Sequence, residues 1–452
     1  MNFMTLLERL EQQKAIQQQD NQEPVSAKAA SVIDEYTELK EKLHNEVIEW
    51  INREASGGDL TDELHEDYLK STIDTLISNK GINIPRIDRS RVISEVYNDV
   101  VGLGPLEPLL QDPDITEIMV NGPYNVYVER KGKIEMSSTV FKNNDHVMNV
   151  INRIVSSVGR RIDESSPMVD ARLPDGSRVN VIIPPIALTG PTITIRKFPK
   201  NPLMVSDLIK FSSVSPKMMS FLEACVKGRL NIIVSGGTGS GKTTLLSILS
   251  GYIPDNERLV TIEDAADLQL RQNHVVTLES RPANIEGTGE VTIRDLVRNA
   301  LRMRPDRIIV GEVRSGETLD MLQAMNTGHD GSLTTAHSNS PRDLLSRLET
   351  MVLMSGMEIP IKAVREQIAS ALDVIVHQSR FKDGSRKIVN ITEVVGMEGD
   401  TIVLQDIYVY KQQGMNVGGM IKGTFSSTGV RPAFTEKLAS SGILVRDDWF
   451  SN

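Results

Sequence analysis

Apolar residues recur every three or four positions in the first hundred residues, which is the period of an amphipathic α-helix. Between residues 29 and 52 this spacing is kept by Val32, Tyr36, Leu39, Leu43, Val47 and Ile51. A second run of this kind covers residues 62–78, and a third begins near Ser90. The pattern predicts a small acidic helical bundle over residues 29–100. Residues 1–28 are rich in glutamine and predict a flexible start.

After Gly102 the pattern changes to short runs in which β-branched and polar residues alternate, which is typical of β-strands. These runs are Glu117–Val120, Val126–Glu129, Arg178–Ile183 and Thr192–Arg196. One helical segment, Asp145–Val158, lies among them. We predict an α+β domain over residues 101–200, which ends in a proline-containing linker.

From about Leu208 onward, predicted strands and helices alternate, as they do in a doubly wound α/β domain with a parallel sheet. The strand candidates are Asn231–Ser235, Leu259–Ile262, His274–Leu278, Arg307–Val310, Ser332–Thr335 and Asp373–Val376. Two further runs, Lys387–Val395 and Thr401–Tyr410, predict a hairpin, and one helix is expected around residues 434–441. Residues 201–452 are therefore predicted to form one α/β domain.

Charge and composition constrain the partners. The chain has 452 residues and a net charge of −10; residues 1–100 hold 20 acidic and 11 basic side chains, a balance of −9. The rest of the chain is close to neutral, so binding to nucleic acid is not expected. A membrane-spanning helix needs about 20 consecutive apolar residues, and no apolar stretch of this sequence is nearly that long. The single cysteine, Cys225, cannot form an internal disulfide. These features predict a cytoplasmic protein.

The first strand of the α/β domain runs directly into a glycine-rich loop, which a helical run follows. The loop consists of Gly236, Gly237, Thr238, Gly239, Ser240, Gly241, Lys242, Thr243 and Thr244. It matches the P-loop pattern G-x-x-x-x-G-K-[ST], between strand and helix as that pattern requires. The glycines let backbone N–H groups converge on a phosphate, Lys242 is placed to reach the β- and γ-phosphates, and Thr243 to ligate Mg²⁺. The sequence therefore predicts a P-loop (RecA-like) domain that binds ATP and Mg²⁺.

Hydrolysis also needs a base and groups that support the metal, and in this fold class such groups lie at strand ends. The run Leu259–Ile262 leads into Glu263 and Asp264, and the run Arg307–Val310 leads through a glycine into Glu312. We predict that Glu312 polarises the attacking water. Glu263 is predicted to support the Mg²⁺ hydration shell or to act as a second base. A solvated acid at a strand end is the alternative for each.

A third strand, Ser332–Thr335, ends just before His337. Its place next to the predicted catalytic strand makes His337 a candidate sensor of the γ-phosphate. An ordinary hydrogen-bonding histidine is the alternative on these grounds.

Three further strings accompany the P-loop: V-T-I-E-D-A at 260–265, R-N-A-L-R-M-R-P-D-R-I-I-V-G-E-V-R at 298–314 and T-G-H-D-G-S-L-T-T-A-H-S-N-S-P-R-D at 327–343. Together these motifs resemble those of the secretion-ATPase superfamily, which powers type II and type IV secretion and type IV pili. Within it the chain looks most like the CpaF-type ATPases of Tad/Flp pilus systems. The resemblance implies that Glu263 and Asp264 form the Asp box, that Glu312 is the Walker B glutamate and that residues 334–340 are the His box.

The resemblance also implies an assembly and a location. Such ATPases form hexameric rings in which an N-terminal domain supplies arginines to the nucleotide. Arg178 and Arg196 are the first candidates for this role in the present chain, and Arg172 is the next. A guanidinium beside the γ-phosphate stabilises the charge of the transition state. Surface arginines on hairpins are the alternative. The implied partners are inner-membrane pilus platform proteins, which the chain would contact as a peripheral protein at the cytoplasmic face.

The leading hypothesis is a hexameric, Mg-ATP-hydrolysing motor for the assembly or retraction, or both, of a Tad/Flp (type IVc) pilus. A translocation ATPase of a conjugative type IV secretion system is one alternative. The acidic N-terminal bundle favours a protein partner over DNA. A nucleotide-dependent switch is the other alternative. The two glutamates at strand ends and the candidate arginines argue against a switch, because a switch needs fewer catalytic residues than a motor.

Overall fold

The computed structural model describes residues 36–56, 66–81, 84–130, 132–198, 202–283, 287–416 and 418–451. The chain divides into two compact units, Met1–Phe198 and Pro199–Asn452. The predicted flexible start over residues 1–28 lies outside the described residues. Within the described ranges, no helix has both the length and the apolar character needed to cross a lipid bilayer.

Three helices open the first unit: α1 (Thr37–Ser56), α2 (Glu66–Asn79) and α3 (Arg86–Val100). Their apolar faces meet in one core, which contains Leu39, Leu43, Val47, Ile73, Ile77, Ile84, Val92 and Val96. Helix α3 begins four residues before the predicted start. Pro85 is the N-cap residue of this helix. A proline is tolerated at a helix start, because its missing N–H removes no hydrogen bond within the helix.

The turn that follows α3 is tied to the rest of the first unit. Arg153 donates hydrogen bonds from its guanidinium to the carbonyl oxygens of Asp99 (2.7 Å) and Gly102 (2.6 Å). The Lys142 Nζ lies 3.2 Å from the Asp99 carboxylate. A Cβ at Gly104, where φ is +59°, would lie 3.1 Å from the same carboxylate. Residues 99–104 therefore form an anchored turn, which the sequence pattern did not predict.

The rest of the first unit is one antiparallel sheet with the order β3-β2-β1-β6-β5-β4. The short helix α4 (Glu107–Gln111) and the longer α5 (Asn144–Ser157) share its core, which includes Ile118, Val147, Ile151, Val179 and Ile193. The strands are β1 (Ile115–Asn121), β2 (Val126–Arg130), β3 (Lys133–Met136), β4 (Met168–Arg172), β5 (Arg178–Ile182) and β6 (Thr192–Arg196). The sequence missed β3 and β4; β3 has only four residues, and all of them are exposed.

The second unit is built on a nine-stranded sheet with the order β15-β14-β13-β12-β7-β11-β10-β8-β9. The strands from β12 to β9 are parallel, as predicted, and β13, β14 and β15 extend the sheet in antiparallel pairs. They are β7 (Ile232–Gly236), β8 (Leu259–Glu263), β9 (Val275–Glu279), β10 (Arg307–Val310), β11 (Leu333–His337), β12 (Val374–Arg380), β13 (Arg386–Glu398), β14 (Thr401–Met415) and β15 (Ile421–Ser427). Strand β15 was not predicted. The fold is the predicted mixed α/β architecture.

Helices cover both faces of this sheet. They are α6 (Val205–Lys210), α7 (Pro216–Lys227), α8 (Lys242–Ser250), α9 (Ile293–Ala300), α10 (Glu317–Asn326), α11 (Pro341–Leu353), α12 (Ile361–Ala371) and α13 (Thr435–Ser440). In β7, Ile232 and Val234 belong to one hydrophobic core and Ile233 to the other. Because β7 is buried on both faces, its first three residues form a continuous apolar run, and this run made the strand recognisable in the sequence.

The strand order brings four segments of the sequence to one edge of the second sheet. The carboxyl ends of β7, β11, β10 and β8 are neighbours there, because these strands are adjacent and parallel. The glycine-rich loop, His337, Glu312 and Glu263 lie at these ends. In open α/β sheets, ligands bind at this edge.

Candidate active site

The glycine-rich loop turns sharply between β7 and α8. Gly236, Gly239 and Gly241 have φ values of +156°, +69° and +94°, which favour glycine. A Cβ at Gly236 would lie 2.1 Å from the backbone oxygen of Gln378 and 2.6 Å from the Ser240 Oγ. The loop path thus depends on glycine at the position where β7 meets the neighbouring strand β12.

Lys242 is the first residue of α8, and 8% of it is exposed. Its Nζ donates to the carbonyl of Gly237 at 3.2 Å and lies 3.3 Å from the Nδ1 of His337. Burial lowers the pKa of Lys242, and Arg314 and Arg347 act in the same direction, while Glu312 opposes them. The ammonium group therefore lies against the glycine-rich loop, close to the N-terminus of α8. The N-terminus of a helix of this length favours the binding of an anion.

Glu312 follows β10 and uses its two oxygens differently. The Oε2 accepts hydrogen bonds from Nε (2.8 Å) and Nη2 (2.6 Å) of Arg314. The Oε1 is buried and accepts no hydrogen bond from any residue in the described ranges. The Nε2 of His337 lies 2.8 Å from it, without the geometry of a directed hydrogen bond. One carboxylate oxygen is thus held by an arginine, and the other faces the site.

His337, the last residue of β11, lies between Lys242 and Glu312. Burial lowers the pKa of its imidazole; Glu312 opposes this shift, while Lys242 and Arg347 add to it. The ring is therefore neutral near neutral pH, so it can donate from one nitrogen and accept at the other.

Glu263 and Asp264 are placed in different surroundings. Glu263 is 4% exposed, and its carboxylate accepts hydrogen bonds from the backbone N–H groups of Asp267 (3.0 Å) and Leu268 (3.2 Å). The exposed carboxylate of Asp264 accepts from Arg314 at 3.1 Å. Glu263 thus holds the loop after β8, and its role toward Mg²⁺ stays a prediction.

The loop residues fit a nucleotide phosphate with Mg²⁺. The Ser240 Oγ is buried and has no hydrogen-bond partner among the residues that the structure describes. Thr243 lies in the first turn of α8 and is partly exposed, so its hydroxyl is accessible as the predicted oxygen ligand. The structure keeps Gly237, Thr238 and Gly239 exposed at the tip of the loop. These positions are where a P-loop presents its backbone N–H groups.

Two arginines near the site were missed. Arg314 joins the carboxylates of Glu312 and Asp264, and its place two residues after Glu312 was a usable signal. Arg386, the first residue of β13, donates from Nε to the carbonyl of Gly239 at 2.9 Å. These two residues are 147 positions apart in the sequence, so no local pattern could connect them.

The three candidate arginines of the first unit form one row across its sheet. Arg172 is the register partner of Arg178, and Arg178 is the register partner of Arg196. Glu117 of β1 continues the row beside Arg196. Residues directly opposite one another in a sheet project from the same face. That one of these arginines reaches a nucleotide stays a prediction.

Comparison with known proteins identifies relatives over the same region. A family model described as "Type II/IV secretion system protein" matches residues 99–394. A protein of Mycobacterium tuberculosis, provisionally named a conjugal transfer protein, is 37% identical over 310 residues, which cover 67% of this chain and 88% of the relative. The type IV secretion system protein VirB11 of Brucella abortus is 35% identical over 320 residues, which cover 65% of this chain and 88% of that protein.

Solved structures of similar proteins cover the same share of the chain. The VirB11 ATPase from the Brucella suis type IV secretion system, crystallised with sulphate, is 32% identical with a TM-score of 0.35, covering 64% of this chain and 94% of that one. The pilus retraction motor PilT with bound ADP is 22% identical with a TM-score of 0.46, covering 65% and 78%. With the family model spanning well over half of its residues, the chain belongs to the type II/IV secretion system protein family.

Proposed function

We propose that this protein hydrolyses ATP with Mg²⁺ and uses the energy to drive a secretion or pilus machine. The observation that carries the proposal is the group formed by Lys242, His337 and Glu312, in which His337 lies 3.3 Å from the Lys242 Nζ and 2.8 Å from the Glu312 Oε1. Phosphoryl transfer to water uses a cation on the phosphates and a group that positions the attacking water, and Lys242 and Glu312 supply these two parts.

Each residue has a distinct task in this proposal. Lys242 offsets negative charge on the β- and γ-phosphates, while the P-loop N–H groups hold them. The Oε1 of Glu312 accepts a hydrogen bond from the attacking water and orients it. Arg314 fixes the Glu312 carboxylate through Oε2. His337 lies close to both Lys242 and Glu312 and acts as the sensor of the γ-phosphate. Bound Mg²⁺, with Thr243 as a ligand and Glu263 supporting its hydration shell, would neutralise charge on the phosphates.

The finer proposal is a hexameric motor of a Tad/Flp pilus, at the cytoplasmic face of the inner membrane and in contact with platform proteins there. It rests on the motif strings at 260–265, 298–314 and 327–343 and on the acidic first 100 residues. A ring would let Arg178 or Arg196 of one subunit meet the nucleotide of the next. The relatives favour a second candidate, a translocation ATPase of a type IV secretion system, because VirB11 is 35% identical over 320 residues.

The test of ATP hydrolysis is phosphate release by the full chain, compared with Lys242→Ala. We expect turnover to fall by a factor of about 100 or more, because the substitution removes the cation that faces the β- and γ-phosphates. Lys227→Ala is the matched control, since the Lys227 side chain is 45% exposed and pairs with Glu223 on the same helix. Wild-type turnover in a folded Lys242→Ala protein would contradict the proposal.

A second experiment separates the two machines. Single- and double-stranded DNA are added to the hydrolysing protein, and pilus formation is scored in a deletion strain complemented with the wild type or with Lys242→Ala. The pilus proposal expects no stimulation by DNA and loss of pili with the variant. Stimulation of several-fold by DNA, with normal pili, would instead support the type IV secretion candidate.

A further inference from the structure

The β12–β13 hairpin contacts the glycine-rich loop through Arg386, the first residue of β13. The Nε of Arg386 donates a hydrogen bond to the carbonyl of Gly239 at 2.9 Å. Its Cδ lies 3.3 Å from the position that a Cβ would take at Gly241. The side chain thus contacts two glycines of the loop, one through its charged end and the other through its aliphatic stem.

The contact with Gly239 fixes the orientation of one peptide group of the loop. The peptide group between Gly239 and Ser240 is planar, and in a trans peptide the carbonyl and the N–H point in opposite directions. The carbonyl accepts from Arg386, and the Ser240 N–H donates to the carbonyl of Gly237 at 3.3 Å. The orientation that Arg386 favours is therefore the one that closes the turn between Gly237 and Ser240.

The same turn also binds the ammonium group of the site. The Nζ of Lys242 donates to the Gly237 carbonyl at 3.2 Å, so this oxygen accepts from both Ser240 and Lys242. A chain of hydrogen bonds thus leads from Arg386 through the turn to Lys242. Gly239 is exposed, and a glycine restricts its own backbone very little. A bond from outside the loop therefore limits the conformations that the turn can adopt.

A surface arginine with an incidental contact is the alternative. Arg386 is exposed, and one hydrogen bond contributes only modestly to the stability of a fold. Its acceptor, however, belongs to the predicted phosphate-binding loop. An incidental contact predicts no change in nucleotide affinity when Arg386 is replaced. A positioning contact predicts weaker nucleotide binding, which another long cationic side chain restores.

We propose that Arg386 is a positioning residue, which holds the peptide group between Gly239 and Ser240 in the orientation that binds nucleotide phosphates. This inference rests on the proposed function and adds a residue to its nucleotide site. The loop holds the phosphates in the ground state and in the transition state alike, so loss of the contact weakens binding more than it slows the chemical step. We therefore expect KM and the nucleotide Kd to rise together, while kcat changes little.

The test compares Arg386→Met with Arg386→Lys in the full chain. We measure kcat, KM for Mg-ATP, the Kd of a fluorescent ADP analogue and the thermal unfolding midpoint of each protein. Methionine keeps an aliphatic stem beside Gly241 but has no donor, so KM and Kd should rise at least about 5-fold, with kcat within about 3-fold of the wild type. Lysine keeps a cationic donor, which should return KM and Kd to within about 2-fold of the wild type.

Lys382→Met is the matched control. Lys382 is exposed and lies in the same hairpin, between the end of β12 and the start of β13. The control removes one positive charge from the hairpin and leaves the bond from Arg386 to Gly239 in place, so its KM and Kd should stay within about 2-fold of the wild type. Because both positions are exposed, none of the three variants should lower the unfolding midpoint by more than about 2 °C.

Three results would overturn the proposal. The first is an unchanged Kd in Arg386→Met, and the second is a rise in Kd that Arg386→Lys does not restore. The third is an equal rise in Lys382→Met, which would show that the nucleotide responds to the total charge of the hairpin. Absence of turnover in a wild-type chain that binds the ADP analogue would overturn the proposed hydrolysis alone, because the Kd values would still decide the role of Arg386.

Discussion

Arg314 binds only one of the two carboxylate oxygens of Glu312. Its Nε and Nη2 both donate to Oε2, at 2.8 and 2.6 Å. This arrangement fixes the plane of the carboxylate and leaves Oε1 without a hydrogen bond from any residue in the described part of the chain. In the mechanism proposed above, Glu312 would act as a general base through the oxygen that Arg314 leaves without a hydrogen bond.

Glu312→Gln should bind ATP and fail to hydrolyse it. The amide keeps the shape of the side chain but is a much weaker acceptor for a water proton, and general-base catalysis contributes about 10²–10⁴-fold. We expect kcat to fall at least about 100-fold, with nucleotide affinity within about 3-fold of the wild type. Phosphate release and nucleotide titration measure the two quantities. Glu358→Gln, at an exposed position, is the control. Unchanged turnover would remove Glu312 from the mechanism.

Arg307→Ala should strongly destabilise the second unit. Arg307 is fully buried at the start of β10 and binds both oxygens of Glu257, at 2.7 and 3.0 Å. The substitution would leave the buried Glu257 with only the more exposed Arg229 as a partner. Breaking a buried ion pair costs about 3–5 kcal/mol in the free energy of unfolding. Denaturant unfolding followed by circular dichroism measures this quantity.

The chain supplies a matched control for that experiment. Arg229 binds the same Glu257 at 3.1 Å, but its side chain is 43% exposed. Arg229→Ala should therefore cost about 0–1 kcal/mol, because solvent screens an exposed pair. Equal losses in the two variants would show that burial of Arg307 does not determine the effect.

Turnover should decline at acidic pH. Burial lowers the pKa of His337 below its ordinary value, so the ring takes up a proton only at a lower pH than a free imidazole does. A protonated ring would add a cation beside Lys242 and attract the Glu312 carboxylate, which weakens its action as a base. Because the pKa of His337 is lower in the folded protein than in the unfolded chain, the unfolded chain binds this proton more readily. The free energy of unfolding should therefore also decline as the pH falls.

The pH profile of kcat in the wild type and in His337→Gln checks this expectation. The variant lacks the titrating ring, so its acid decline should begin at a lower pH than that of the wild type. A wild-type decline that begins above pH 7, or identical acid profiles in both proteins, would exclude His337 as the group responsible.

A chain that begins at Val101 should keep nucleotide binding and lose function in cells. The truncation removes the three helices but retains the Gly102 carbonyl that Arg153 binds. A start near Ile93 would instead cut α3 in its middle and leave Val96 without its core partners. The P-loop belongs to the other compact unit. We expect nucleotide affinity within about 3-fold of the full chain. Normal pilus or secretion output from the truncated protein would reject a docking role for the helices.

The sequence alone determined the parts of this protein whose causes are local. The glycine-rich loop was predictable because positive φ angles, such as those at Gly239 and Gly241, favour glycine. The parallel strands were predictable because burial on both faces gives β7 and β10 a run of three consecutive apolar residues each. The exposed strand β3 leaves no such signature, and it was missed.

Only the tertiary structure decided which of these parts meet. Lys242 and His337 are 95 residues apart, and Arg386 and Gly239 are 147 apart. Their contacts follow from the strand order β12-β7-β11-β10-β8, which differs from the order along the chain. Glu263 is a further example. Its place at the end of β8 was predicted from the sequence. Its hydrogen bonds from the backbone N–H groups of Asp267 and Leu268 depend on the path of the loop that follows, which the sequence pattern does not give. Strand adjacency is set by packing of the whole sheet, so pairings across it are absent from any local pattern.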